Sequence, residues 1–348
     1  MKELTKESSE SEMDNVYEGK KILILGGTGT IGRYLVNQLL KYSPEVIRIF
    51  SRDEYKQFEL QQEFREYVNI RYLIGDIRDE RRLLRAMEDI DYVFHLAAMK
   101  HVPACEYNPF EAVKTNVIGT QNVIQAALEA KVKRVLFTST DKAIAPSNTY
   151  GATKLTAERL ISATEFQKGP KKTIFSSVRF GNVMGSRGSV IPLFKKQIIE
   201  EKRVTVTNLE MLRYMMTPSE AISLLLKANE MAYGGEVFVL KMPVVELRDL
   251  VQVMIEEVTK KYRITDRILI DEIGLRPGEK MFEELMTEDE ATVALETTEL
   301  FVLQPPYGRA ERVYPDVKEF SGEAPSPFKE YIIDKETLRR WIQNEKLI

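Results

Sequence analysis

The sequence predicts an α/β protein: a Rossmann-like, doubly wound parallel sheet with a smaller C-terminal α/β substrate-binding domain. Three observations carry that prediction. Short apolar runs alternate with amphipathic helical segments through the first half of the chain. The glycine-rich segment Gly26-Gly27-Thr28-Gly29-Thr30-Ile31-Gly32 falls between the first apolar run and the first helical segment. After about residue 180 the regular alternation gives way to shorter runs separated by isolated arginines.

Taken in order, residues 1–18 are polar and mixed in charge and read as a disordered leader. Buried strands are then expected at Lys21 to Leu25, Val46 to Phe50, Ile70 to Ile74, Tyr92 to Leu96, Val135 to Thr138 and Ser176 to Phe180. Helices fit between them at Arg33 to Lys41, Tyr55 to Tyr67, Arg81 to Glu88 and Pro109 to Ala130. Residues 19–180 would form the Rossmann domain, and 181–290 mainly the substrate-binding domain, with some chain returning to the sheet. In that second part, Ile191 to Glu201, Pro218 to Met231 and Leu247 to Lys261 read as helices and Val237 to Leu240 as a strand. Residues 291–348 form a C-terminal extension ending in a helix at Lys335 to Gln343.

Composition narrows the function classes. The 348 residues are 43% hydrophobic and 30% charged, enough for a large folded core. A net charge of −3 with interspersed signs leaves no basic footprint for nucleic acid. No apolar run approaches the roughly 18–20 residues of a membrane helix, and the N-terminus lacks a signal peptide's apolar centre. One cysteine, Cys105, excludes an internal disulfide and offers no metal cluster, as expected of a cytoplasmic protein.

The glycine segment predicts a dinucleotide site: the tight turn lets backbone amides at a helix N-terminus approach a pyrophosphate. NAD sites usually carry a carboxylate at the end of the second strand to accept the ribose 2′-hydroxyl, but here Ser51 and Arg52 follow. A hydroxyl and a guanidinium suit a 2′-phosphate, so NADP is expected over NAD, although Asp53 follows at once. Asp76 either accepts from an adenine amine or belongs to a polar turn capping the next helix. Ala97 and Ala98 end the fourth strand with small residues that allow close approach of a cofactor. His95 is equally readable as a satisfied strand-end histidine, and His101 is given no catalytic role.

The fifth strand leads into Thr140-Asp141-Lys142, and the next helix opens with Tyr150 and Lys154, four residues apart and so on one face. An adjacent ammonium would favour the phenolate, lowering the pKa of Tyr150. Taken alone, such a Tyr/Lys pair is usually a solvated helix face, and Asp141 with Lys142 could be a plain ion pair.

Together these residues resemble the extended short-chain dehydrogenase/reductases. Ser51-Arg52-Asp53-Glu54, Ala97-Ala98-Met99-Lys100-His101-Val102-Pro103, Ser139-Thr140-Asp141-Lys142-Ala143, Arg179-Phe180-Gly181-Asn182-Val183 and Gly185-Ser186-Arg187-Gly188-Ser189-Val190 resemble the UDP-N-acetylglucosamine 4,6-dehydratases of surface-glycan synthesis, from about Gly19 to Thr287. The resemblance implies that Tyr150, assisted by Lys154, takes the C4 hydroxyl proton while hydride passes to NADP. Lys142 then removes the C5 proton, Asp141 protonates the departing C6 hydroxyl, the hydride returns to C6 and C5 is reprotonated. Such roles need Asp141 protonated and Lys142 neutral in the working complex, and Thr140 bonded to the sugar or the tyrosine.

It further implies cofactor contacts from Gly26, Thr28, Gly29, Thr30, Ile31, Gly32, Ser51, Arg52, Lys56, Asp76, Ile77, Ala97, Ala98, Lys100, Tyr150 and Lys154. A UDP-sugar would be held by Lys100, Asn182, Arg187, Arg213, Arg276 and Glu279, although each arginine could instead be a surface ion pair. A tyrosine at position 150 favours inversion at C5. Met211-Leu212-Arg213-Tyr214 departs from the Thr-Arg-Phe more usual in the family. A retaining dehydratase, a 4-epimerase and a silent NADP-binding scaffold are the competing expectations, and a homo-oligomer is implied.

Overall fold

The computed structural model describes residues 15–305, 314, 316–328 and 330–348. Through the first half, strand and helix alternate: β1 (Lys21–Leu25), α1 (Thr30–Leu40), β2 (Val46–Ser51), α2 (Glu54–Glu63), β3 (Ile70–Ile74), α3 (Glu80–Met87), β4 (Tyr92–His95), α4 (Val102–Tyr107) and α5 (Pro109–Ala112). A π-helical turn, Val113–Ile118, joins α5 to α6 (Gly119–Glu129), followed by β5 (Arg134–Thr138), a 3-10 turn Asp141–Ala143, α7 (Thr149–Gln167) and β6 (Ile174–Arg179). The apolar runs stack because residues such as Ile22, Ile24, Phe94 and Leu136 are fully buried, with helices covering both faces of the sheet.

The second half contributes β7 (Asn182–Val183), α8 (Val190–Glu201), β8 (Arg203–Val206), β9 (Leu212–Met216), α9 (Pro218–Met231), β10 (Val237–Leu240), β11 (Val244–Glu246), α10 (Leu247–Tyr262) and β12 (Leu269–Glu272). It ends with α11 (Glu288–Ala291), β13 (Leu295–Glu296), β14 (Leu300–Leu303), β15 (Lys318–Glu319) and α12 (Lys335–Asn344). The main sheet runs β15-β13-β14-β10-β6-β5-β4-β1-β2-β3, parallel from β10 to β3, with β14 antiparallel to β10. Order reverses at β1, which pairs with β2 on one side and β4 on the other, so the crevice of a doubly wound sheet opens beside the glycine turn. Two small sheets, β11-β9-β7 and β12-β8, sit off the main one over a separate core that includes Phe194, Val245 and Met254.

Four expectations are corrected. Residues 1–14 of the expected leader lie outside the described residues, but Asn15 to Gly19 form a turn in which Tyr17 is buried. Its hydroxyl donates to the Leu226 carbonyl at 3.1 Å, and its ring packs on Tyr42, Tyr92 and Phe94. The continuous helix expected from Pro109 to Ala130 contains the π turn, where Asn116 and Thr115 are buried. The extension is no appendage: β13, β14 and β15 extend the main sheet, and α12 packs on α10 through Leu338 and Ile342. Arg179, which opens one of the motifs that carry the resemblance and would be expected near a ligand, is fully buried between Glu158 and Glu290. Among the described residues no helix is long and apolar enough to cross a membrane.

Candidate functional site

The glycine turn is shaped by close approach. Gly26 has φ 80°, and a Cβ there would lie 2.9 Å from the Ala97 Cα, so the turn meets the backbone just after β4 only because residue 26 is glycine. At Gly32 a Cβ would fall 2.4 Å from the Gly27 carbonyl oxygen. Gly29 begins α1 without a side-chain cap, so no side chain competes for the first-turn amides. That bare N-terminus in a concave turn fits a dinucleotide pyrophosphate. Ile31 packs against the core beside it, and Ile77 is buried with its carbonyl accepting from Asn122.

At the end of β2 the Ser51 hydroxyl accepts from the Gln57 amide at 3.1 Å. Asp53 caps α2, accepting from the Lys56 amide at 3.1 Å, and pairs with the Lys56 amine at 2.5 Å. Arg52 lies 3.6 Å from Asp76, which Arg78 grips from its own loop through two bonds of 2.9 and 2.8 Å. Burial pushes the Asp76 carboxyl up, but the Arg78 bonds and the Arg52 charge outweigh it and leave it below the usual range. Asp79, not Asp76, caps α3, which removes the capping reading of Asp76. Arg52, more than half exposed, thus presents its guanidinium at the end of β2, beside Asp76.

The stretch from Thr140 to Lys154 is assembled by caps. Thr140 caps the 3-10 turn, its Oγ1 accepting from the Lys142 amide and donating to Asp141 Oδ1 at 3.0 Å. Asp141 is completely buried; Lys142 Nζ donates to Oδ1 at 2.9 Å, and Oδ2 has no hydrogen-bond partner. A Cβ at Gly181 would lie 3.0 Å from that Oδ2. Asn148 caps α7 by accepting from the Gly151 amide at 2.8 Å. A Cβ on Gly151 would come within 2.0 Å of the Lys142 carbonyl oxygen, so only glycine lets the start of α7 seat against the Asp141/Lys142 turn.

Tyr150 then stands beside Thr140 and Asp141. Burial is the main reason its phenol is held well above the ordinary range, with the Thr140 hydrogen bond opposing and the Asp141 charge adding to it. In the free protein this runs opposite to the expected lowering, and Lys154 is not among the influences on the phenol. The Lys154 amine, one helical turn on, donates to the Thr138 carbonyl and lies 3.9 Å from the centre of the Phe137 ring. Burial brings it down to about 7, against the pull of Glu158. His95, held neutral by burial and brought down to about 3, bonds Thr120 at 3.0 Å through Nε2. Asn116, on the π turn, accepts from the Met99 amide at 2.8 Å and donates to its carbonyl and to Thr153 Oγ1, both at 2.9 Å, bracing the strand-end loop against α7.

The loop after β12 lies over this cluster. The Gly278 carbonyl accepts from Ser147 and Asn148, and Lys280 donates to the Ala145 carbonyl at 2.7 Å. Arg276 and Glu279 are paired with each other at 4.0 Å at its exposed rim. The Arg213 guanidinium donates to the carbonyls of Leu212, Lys280 and Met281, so it ties down this loop, and burial lowers its proton affinity. Asn182 lies in β7 beside β9. Arg187 is elsewhere: its amide donates to Thr30 Oγ1 and its guanidinium to the Thr28 carbonyl, each at 3.1 Å, which sets it on the glycine turn. Lys100 is its neighbour; burial first and the Arg187 charge second lower the Lys100 amine. Sequence reasoning missed Glu283, buried with Oε1 3.8 Å from Lys142 Nζ. The available signal was a charged pair, Glu283-Glu284, inside the apolar run from Met281 to Met286.

A doubly wound sheet with a glycine turn at its crevice, and a Tyr/Lys helix facing it, is the arrangement of the short-chain dehydrogenase/reductases. The chain belongs to the polysaccharide biosynthesis protein family, whose model matches residues 22–305. It is 42% identical to the UDP-N-acetylglucosamine 4,6-dehydratase (inverting) of Campylobacter jejuni, over 83% of this chain and 84% of that one. It is also 40% identical to a UDP-glucose 4-epimerase of Rickettsia bellii, over 80% and 81%. The solved structure of Pen from Bacillus thuringiensis is 56% identical and superposes with a TM-score of 0.89, covering 96% of this chain and 100% of that one.

Proposed function

We propose that the protein is an NADP-dependent UDP-N-acetylglucosamine 4,6-dehydratase that inverts C5, working in the cytoplasm as a homo-oligomer. The observation that carries the reading is the Asp141/Lys142 pair: a fully buried carboxylate with one unpartnered oxygen, joined at 2.9 Å to an amine and seated beside Tyr150. A 4-epimerase, which returns hydride to the carbon it left, needs no such acid and base. The Campylobacter relative's name supports dehydration and inversion, while the Rickettsia relative's name keeps the epimerase as the second reading.

The bare α1 N-terminus and the glycine turn would hold the pyrophosphate, with Arg52 toward a 2′-phosphate. A bound nicotinamide would supply the hydride acceptor, and its positive charge would ease the proton from Tyr150. Tyr150 takes the C4 hydroxyl proton. The C4 ketone acidifies the C5 proton, which Lys142 removes as Asp141 gives its proton to the departing C6 hydroxyl, releasing water; return of the hydride to C6 and of a proton to C5 would complete the 4-keto-6-deoxy product. A proton moved from Lys142 to Asp141 beforehand supplies both roles without creating net charge. Arg276 and Glu279 at the loop rim, with Lys100 and Asn182, are the proposed holders of the UDP-sugar.

The test is incubation with UDP-N-acetylglucosamine in deuterated water, followed by proton NMR. A 4-keto-6-deoxy product deuterated at C5 is expected, its ring couplings reporting inversion. A C4 epimer alone, or no product, would overturn the reading.

A further inference from the structure

Among the described residues, Glu283 is the one carboxylate within 4.0 Å of the Lys142 amine that the proposed chemistry leaves without a task. It is 4% exposed and comes from the loop that Arg213 and Lys280 fasten over the 3-10 turn. Its Oε1 lies 3.8 Å from Lys142 Nζ, whereas Asp141 Oδ1 lies at 2.9 Å. One ammonium is thus hydrogen-bonded to the first carboxylate and only approached by the second.

Resting on the dehydratase reading, we propose that Glu283 is a positioning residue for this pair: carried as a neutral carboxylic acid beside Lys142, it leaves Asp141 as the ammonium's sole charged partner in the pair, so that the two can exchange a proton when substrate excludes water. Two carboxylates flanking one buried site do not both ionise cheaply, and the one with the weaker bond to the cation is the one that keeps its proton. With Glu283 neutral, Asp141 and Lys142 sum to zero charge before and after the transfer, in which the proton leaves Nζ and the carboxylate gains it. With Glu283 ionised, a second negative charge holds the ammonium in its charged form, and the base needed at C5 is lost.

The groups facing Glu283 are Lys142 and Asp141 on the 3-10 turn, Arg213 on β9 and Lys280 on its own loop. Burial is the largest influence on the Glu283 carboxyl and raises it; Lys142, Arg213 and Lys280 oppose, and Asp141 adds to it. The geometry and this balance agree.

Two measurements decide the matter. The first needs no substrate: the infrared spectrum of the free protein at neutral pH, for wild type and Glu283→Gln, should differ by a carboxylic-acid carbonyl band that glutamine removes. Absence of that band overturns the inference. The second is the pH profile of C5 hydrogen–deuterium exchange in UDP-N-acetylglucosamine. Above the Glu283 midpoint the wild-type rate should fall about tenfold per pH unit, as for loss of one required proton. Glu283→Gln should stay active at neutral pH and lack that limb, while Glu283→Asp, which still titrates, should move it. A glutamine variant that binds NADP but is inactive at every pH, or that keeps the wild-type limb, overturns the proposal. If wild type makes no 4-keto product, the dehydratase reading falls, and the infrared band still reports the state of Glu283.

Discussion

Arg179 and Lys142 are both cations set among carboxylates in the interior, yet their surroundings differ in one respect. Arg179 Nη2 donates to Glu158 at 2.7 Å, its Nη1 to Glu290 at 2.8 Å and to the Leu285 carbonyl at 2.9 Å, so the planar fork is saturated. Around Lys142 there is one hydrogen bond of 2.9 Å, a second carboxylate at 3.8 Å and an orphaned Asp141 Oδ2. A saturated cluster is fixed in its protonation and holds elements together, here β6, α7 and α11. An unsaturated one keeps lone pairs and protons available, at a cost in stability. Charge burial alone therefore does not distinguish the two clusters; the degree to which their hydrogen-bonding capacity is filled does.

The contrast can be broken most sharply at Lys142. Lys142→Ala should abolish C5 exchange and product formation, a loss of at least the roughly 10²–10⁴-fold typical of a removed acid–base group, with NADP affinity unchanged by titration. Turnover at wild-type rate would remove Lys142 from the reaction. Arg179→Met should leave Glu158 and Glu290 buried without a cation and cost about 3–5 kcal/mol in urea unfolding. A loss well below that would mean that Arg179 is not the tie between these elements.

Lys154 sharpens the comparison through pH. Its amine is brought down to about 7 by burial, so between that pH and the ordinary lysine range the unfolded chain binds the extra proton. Stability should therefore rise as pH increases across that window and level off above it. Lys154→Met should lack this slope, and urea midpoints measured from pH 7 upward would show whether it does. The smallest effect is expected at the half-exposed Arg52/Asp76 pair. Arg52→Ala should weaken NADP by about 1.5–3 kcal/mol, the worth of a charged hydrogen bond, and leave NAD binding nearly unchanged.

Much of the sheet was legible because strands buried on both faces are uninterrupted apolar runs: β1 and β10 were read at the residues they occupy, and α9 likewise. β7 and β9 were not: β7 has only two residues and Arg213 interrupts the apolar run of β9, so neither carries the unbroken pattern that β10 does. In the site, Thr140, Asp141, Lys142, Tyr150 and Lys154 were legible since two caps and one glycine, all local, bring them together. Glu283 was not, since its place beside Lys142 depends on a loop fastened by Arg213 across more than sixty intervening residues. Arg187 shows the same limit: an arginine in a motif announces an anion or a carbonyl, and only the fold decided that it meets the Thr28 carbonyl.

The π turn at Val113–Ile118 can also be counted as a reading-frame feature of the helix that holds it. A π turn is an α-helix carrying one residue too many. Deleting a single residue there would let α5 and α6 run on as one regular helix and rotate Asn116 by about 100°, the angle between successive residues. Asn116 would then release Met99 on one side and Thr153 on the other. One codon thus sets the phase between the loop at the cofactor crevice and the helix that presents Tyr150.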